Sequence, residues 1–183
     1  LAEEENHDGI KEIASYLDDK NKSIQSDCLK VLYEIGYISP QLISGYSKDF
    51  IRLLESKNNR MIWGSMIALA TIAGQVPDDI FPHVGKIKDL IETGSVITNV
   101  WGVKTLVNLA KSDQNFYPLL IEDLLRLQRE CRNIDFAKRA EDMWEVIKLA
   151  EIPKYKNILE ERKPSLSSAT QKRLSRVIEK LKV

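Results

Sequence analysis

The stretch NRMIWGSMIALATIAG, Asn59 to Gly74, spaces its residues as a helix does but offers almost no polar face. A helix that is apolar all round must be enclosed by protein or by lipid. Lipid is the poorer fit. The longest apolar run, Met61 to Val76, is interrupted by Gly64, Ser65, Thr71, Gly74 and Gln75, and falls short of the roughly 20 apolar residues that span a bilayer. The helix is therefore expected inside a protein core, with other helices on several sides.

The whole chain can supply that enclosure. Its 183 residues are 43% hydrophobic and 30% charged, which suits a single soluble domain over residues 1–183 with a sizeable core. The 27 basic and 27 acidic side chains cancel, so no overall field draws nucleic acid or an anionic membrane. Charge is nevertheless uneven: residues 1–21 hold seven acids against two bases, and residues 148–183 hold ten bases against four acids. Oppositely charged ends would favour weak head-to-tail self-association. No signal peptide is evident, so a cytoplasmic setting is expected. The chain begins at Leu1 rather than a methionine, as a piece of a longer protein would.

Apolar residues recur at three- and four-residue spacing almost throughout, while alternating strand patterns are missing. Breaks near residues 19–23, 36–40, 57–59, 74–77, 93–95, 112–114, 132–134, 151–153 and 163–165 leave about ten helices. Pro40, Pro77 and Pro153 each stand where a helix begins, a place that tolerates a missing N–H.

The helices repeat. Leu17, Leu54 and Ile91 lie 37 residues apart, and each is followed by a polar turn and a second helix with its own apolar stripe. The stripes are Ile24, Cys28, Leu32 and Ile35; Met61, Ser65, Leu69 and Ile72; and Thr98, Gly102, Leu106 and Leu109. A fourth copy, shifted by 38, gives Phe136, Ala140, Trp144 and Ile147, placing Trp144 in the core. The second place is always small, as close helix approach requires. Residues 153–183 form a last, irregular pair.

The segment LDDKNKSIQSDCLKVLYEIG, Leu17 to Gly36, resembles the second half of a HEAT repeat, with its leucine, acidic turn, β-branched residue, small residue and closing leucine, isoleucine and glycine. The resemblance extends over residues 8–150. Pro82 and Pro118 match the family's proline within the first helix, with Gly45 in its place in the earlier copy. The family's arginine after the β-branched residue is replaced by Gln25, Ile62, Asn99 and Ala137, so its Asp–Arg ladder between repeats is expected to be absent. The resemblance implies an all-α, right-handed α-solenoid of about five antiparallel helix pairs, an armadillo-like architecture.

In such a stack an interior helix shows solvent one narrow strip, which in this family lies on the concave face. On Asn59–Gly74 the strip is Trp63, Ile67 and Ala70. Its counterparts are Ser26, Lys30, Tyr33 and Tyr37 in the first copy, and Val100, Lys104, Val107 and Lys111 in the third, with Trp101 and Asn108 at the margin. Charged Lys138, Asp142 and Glu145 take these places in the fourth. Aromatic anchors within a polar rim are the composition of a protein interface. The partner-binding residues are thus Tyr33, Arg60, Trp63, Ile67, Trp101, Lys104 and Asn108, and the expected function is a non-catalytic scaffold for a protein or peptide. Packing between repeats is the competing account of Trp63 and Trp101.

Signals for chemistry are sparse. His7 and His83 stand outside any metal or nucleophile motif, and Cys28 and Cys131, 103 residues apart, read as reduced core thiols. The acidic pairs Asp18–Asp19, Asp78–Asp79 and Glu122–Asp123 fall at turns or helix starts, where carboxylates cap free N–H groups. No catalytic residue, metal or cofactor is expected. One alternative shares the architecture: HEAT-like glycosylases that excise alkylated bases hold DNA on a concave face with aromatic, acidic and basic side chains. Trp63, Trp101, Arg60 and Lys104 would fill part of that role, but a central acid and a basic excess are missing, so nucleic acid is not the expected partner. The basic segment KPSLSSATQKRLSRVIEKLKV reads as an amphipathic cap helix or as a contact for an anionic partner.

Overall fold

A computed structural model describes residues 5–181; Glu3, Glu4 and Lys182, part of the charge asymmetry, lie outside the described residues. No strand occurs among these residues. Eleven α-helices run in order: α1 His7–Ser15, α2 Lys22–Ile38, α3 Ser47–Leu53, α4 Asn59–Ile72, α5 Pro77–Ile80, α6 Val84–Thr93, α7 Val96–Ser112, α8 Tyr117–Glu130, α9 Asn133–Met143, α10 Ile152–Arg162 and α11 Ser168–Lys180. None is long and apolar enough to cross a membrane. The chain divides into two compact units, Leu1–Asp113 and Gln114–Val183.

In the first unit, helices pair within a repeat as α1 with α2, α3 with α4, and α6 with α7. Successive second helices then stack, α2 on α4 and α4 on α7. This stacking encloses the apolar stretch. Every residue from Gly64 to Ala70 is buried, as are Ile72 and Ala73, because α4 has its own partner and a neighbour on each side. The stripes of α4 and α7 are buried at all eight positions. In α2, Leu32 and Ile35 are buried but Cys28 is half-exposed and Ile24 is 41% exposed. The equivalent Met61 is covered by the preceding repeat, its sulfur 3.8 Å from Ser26 Oγ; no helix pair precedes α1 and α2 among the described residues.

Close approach explains the small residues. A Cβ on Gly64 would stand 2.7 Å from Leu29 Cδ2 of α2, and one on Gly102 2.5 Å from Ile91 Cγ1 of α6. Asn21, Asn58 and Ser95 cap α2, α4 and α7, accepting from the N–H groups of Ser23, Arg60 and Thr98. Of the acidic pairs, Asp19 accepts from the Asn21 N–H at 2.6 Å, as expected of a carboxylate at a turn, while other members make different contacts. Asp18 accepts two hydrogen bonds from Arg52 at 2.7 and 3.0 Å, Asp79 accepts from the Ser47 hydroxyl at 2.7 Å, and Glu122 pairs with Lys154.

Repeats are joined differently from the family pattern. Gln25 Nε2 donates to Leu17 O at 2.6 Å and Asn99 Nδ2 to Ile91 O at 2.7 Å, so an amide eight residues on closes the repeat's own turn. One Asp–Arg pair between repeats forms outside the family's ladder position, through Arg52 on α3 to Asp18; Glu55, 37 residues after Asp18, pairs likewise with Lys86 at 2.8 Å. Both pairs are exposed and worth about 0–1 kcal/mol each.

The first helix of the second repeat is broken into 3₁₀ turns at Pro40–Leu42 and Ser44–Tyr46 before α3, in a segment containing Gly45, a poor helix former. The third-repeat counterpart is bent at the 3₁₀ turn Phe81–His83, where Pro82 interrupts the hydrogen bonding. Pro118, by contrast, occupies the first turn of α8 and interrupts nothing.

In the second unit, α8 pairs with α9 and α10 with α11, while α8 also packs on α10 and α9 on α11. Phe136, Ala140 and Met143 form the α9 stripe; Trp144 is half-exposed rather than core, because the helix stops at Met143 and turns its ring under the Lys180 ammonium, 4.2 Å from the centroid. The Tyr155 hydroxyl donates to Ala140 O at 3.0 Å. Arg162 donates to the carbonyls of Arg129 and Cys131 at 2.6 and 3.0 Å, satisfying the end of α8.

Candidate interaction strip

Four rings join the second helices of the first unit. Tyr33 lies 6.1 Å from Tyr37 and 6.3 Å from Trp63, centroid to centroid, and Tyr37 lies 5.6 Å from Trp101. Helical spacing places them: Lys30, Tyr33 and Tyr37 share one face of α2, and Lys104 follows Trp101 by one turn of α7. The Lys104 ammonium sits over the Trp101 ring, 5.1 Å from its centroid. Partial burial pushes the Tyr37 phenol up to about 12, with the charge of Glu34 and then Tyr33 adding to the shift. Burial, then Glu34, raises Tyr33 as well.

The residues expected on the strip divide. Arg60 is exposed, and Trp63, Trp101 and Lys104 are half-buried with their rings or ammonium in the cluster. Tyr33 is 7% exposed, so it supports Trp63 and Tyr37 more than it offers a surface. Ile67 and Ala70 are buried, at 5% and 1%, which removes them from the accessible strip. Asn108 also has an internal task. Its Nδ2 donates at 2.8 Å to Ala70 O, one of the last carbonyls of α4 and so without a partner in its own helix. Tyr37, 46% exposed, is the accessible ring that helical spacing put on the strip but that was not among the residues expected to bind.

Beside the cluster, a cleft of about 710 Å³ opens between the starts of α2 and α4. Its walls include Lys22, Ser26, Lys57 and Arg60. Of these, only Arg60 was expected at a binding surface; the signal for the rest is the alignment of two polar turns, Lys20–Ser23 and Lys57–Arg60, at the 37-residue period. Among the described residues no group of three or more His, Cys, Asp or Glu side chains is placed to hold a metal ion.

No family model matches the sequence, and no curated protein matches it. Solved structures do. An engineered protein superposes with a TM-score of 0.71 over 95% of this chain and 79% of its own, at 17% identity. A designed armadillo repeat protein in complex with the peptide (KR)4 gives 0.69 over 92% of this chain and 80% of its own, at 17% identity. The fold is an armadillo/HEAT-like helical-repeat solenoid. A second designed armadillo repeat protein, with a TM-score of 0.61 and 14% identity, covers 94% of this chain and 99% of its own. In this solenoid the four rings and the cleft both belong to second helices of the first three repeats.

Proposed function

We propose that the chain is a non-catalytic scaffold that takes a protein or peptide segment on the strip formed by Tyr37, Trp63, Trp101, Arg60 and Lys104. The observation that carries this reading is the ring chain Tyr33–Tyr37–Trp101 with Trp63, which spans three successive repeats and leaves Tyr37 half in solvent. Rigid aromatic rings bury large area at low entropy cost and anchor most protein interfaces. The peptide complex of a designed armadillo repeat protein supports it by analogy of fold.

The test is selection from a random peptide library on the wild-type protein, followed by affinity measurement on a Tyr37→Ser, Trp101→Ser variant. Selected peptides should lose at least about tenfold in affinity while the variant keeps its helicity. Equal binding to the variant would place the contact elsewhere and overturn the reading.

A further inference from the structure

We infer that the partner segment is acidic, carrying several carboxylates beside one aromatic or branched aliphatic residue. This deepens the strip reading and depends on it. The argument is charge complementarity. Helices α4 and α7 contain Arg60, Lys104 and Lys111 and no carboxylate, in a chain whose acids and bases balance overall. The cleft adds Lys22 and Lys57, and no acid lines it. Among the described residues Lys22, Lys57 and Arg60 form no ion pair, unlike Arg52 and Lys86 on the first helices.

Cleft and rings lie on one path. Ser26, in the cleft wall, is two turns before Tyr33 on the same face of α2, and Arg60 is one turn before Trp63 on α4. An extended segment that stacked an apolar side chain on Tyr37 and Trp101 would bring its flanking residues to Lys104 on one side and to the cleft cations on the other. Carboxylates there would gain attraction without breaking an ion pair in the cleft; basic residues would meet like charge in the cleft and at Lys104. Two acids of α2, Asp27 and Glu34, stand seven residues apart on the neighbouring row, and the Glu34 charge reaches Tyr33 and Tyr37. They flank the cluster and do not line the cleft.

The N-terminal turns of α2 and α4 are already capped. Asn58 accepts from Arg60 N, and Asn21 from Ser23 N, so the side-chain cations rather than bare helix ends would hold the carboxylates.

The experiment uses three capped peptides of equal length with one central phenylalanine and flanks of Asp/Glu, Lys/Arg or Ser/Gly, titrated calorimetrically into the whole chain. The acidic peptide should bind at least about tenfold more tightly than the basic one and weaken as salt rises from about 0.05 M to about 0.5 M. An Arg60→Glu, Lys104→Glu variant should reverse that order, and its melt reports that it is folded. Equal or stronger binding of the basic peptide, lost in the Tyr37→Ser, Trp101→Ser variant, would overturn the acidic partner and leave the strip standing. Acidic binding that survives the ring variant would overturn the strip and the inference together. No binding of any of the three would overturn the inference.

Discussion

The rings of Tyr37 and Trp101 meet at 5.6 Å although the helices that carry them, α2 and α7, are separated by α4, which packs against both. Neighbouring helix axes lie about 8–10 Å apart, so the two side chains together cross the width of one helix. The strip residues of α4 at that crossing, Ile67 and Ala70, are buried. The aromatic pair therefore spans the middle repeat as a roof, and the surface proposed for a partner is that roof rather than the buried isoleucine.

Replacing roof and floor should separate their roles. Ile67→Ser removes a buried branched chain and leaves a hydroxyl in its place, at a cost of about 2–4 kcal/mol. Tyr37→Ser, at a site 46% exposed, should cost about 1 kcal/mol or less while removing peptide binding. Thermal unfolding of the two single variants checks this; equal losses would contradict the layered arrangement.

The shared stripe makes a second expectation. Leu32 and Leu69 occupy the same place in successive repeats and are 0% exposed. Alanine at either should destabilise by about 2–5 kcal/mol, read from denaturant midpoints at unchanged slope.

Glycine to alanine normally stabilises a helix, by up to about 1 kcal/mol. A Cβ on Gly85 of α6 would meet nothing within 4 Å, and Gly85→Ala should raise the melting temperature slightly. Gly102→Ala would press on Ile91 from 2.5 Å and should lower stability by about 1–3 kcal/mol. Gly64→Ala meets the movable end of Leu29 and should fall between. A stabilised Gly102→Ala protein would deny the close approach of α6 and α7.

Alkaline pH should weaken the second unit at a defined place. Burial raises the Tyr117 phenol to about 12 from 10.0, with the Lys148 backbone bond opposing and Glu151 adding to the rise. Its hydroxyl donates to Glu151 Oε2 at 2.8 Å and accepts from Lys148 N at 3.1 Å. A raised folded-state value favours the neutral phenol, so this stabilisation is complete below pH 10 and is lost as pH climbs through about 12. Tyr117→Phe should be less stable at neutral pH and should lose less between those limits, as circular dichroism melts at stepped pH would record.

The period was legible because residues 37 apart face the same environment when a repeat has neighbours on both sides, as Met61–Ile72 does. It misled where that condition fails. Ile24 has the right spacing but no preceding pair among the described residues to cover it, and Trp144 has the right spacing but lies just beyond the end of α9. The site was legible in type and less so in detail. Helical periodicity put Tyr33, Trp63 and Ile67 on one strip with Trp101 at its margin, yet it carries no measure of how far a side chain reaches across a helix. The roof over Ile67 depends on that reach. The bond from Asn108 to Ala70 was equally hidden, since a carboxamide's partner lies a repeat away.

The amide bonds from Gln25 to Leu17 and from Asn99 to Ile91 begin and end within one repeat. A ladder of buried charges running between repeats would tie each unit to the identity of the next, because losing one rung strands an ion in low dielectric. Here the bond that seals a turn travels with its own segment of chain, and the ion pairs to the neighbour, Arg52–Asp18 and Lys86–Glu55, are exposed ones that water can replace. A genetic duplication or deletion of one such segment would therefore strand no buried ion of these pairs, and they set no limit on the number of repeats.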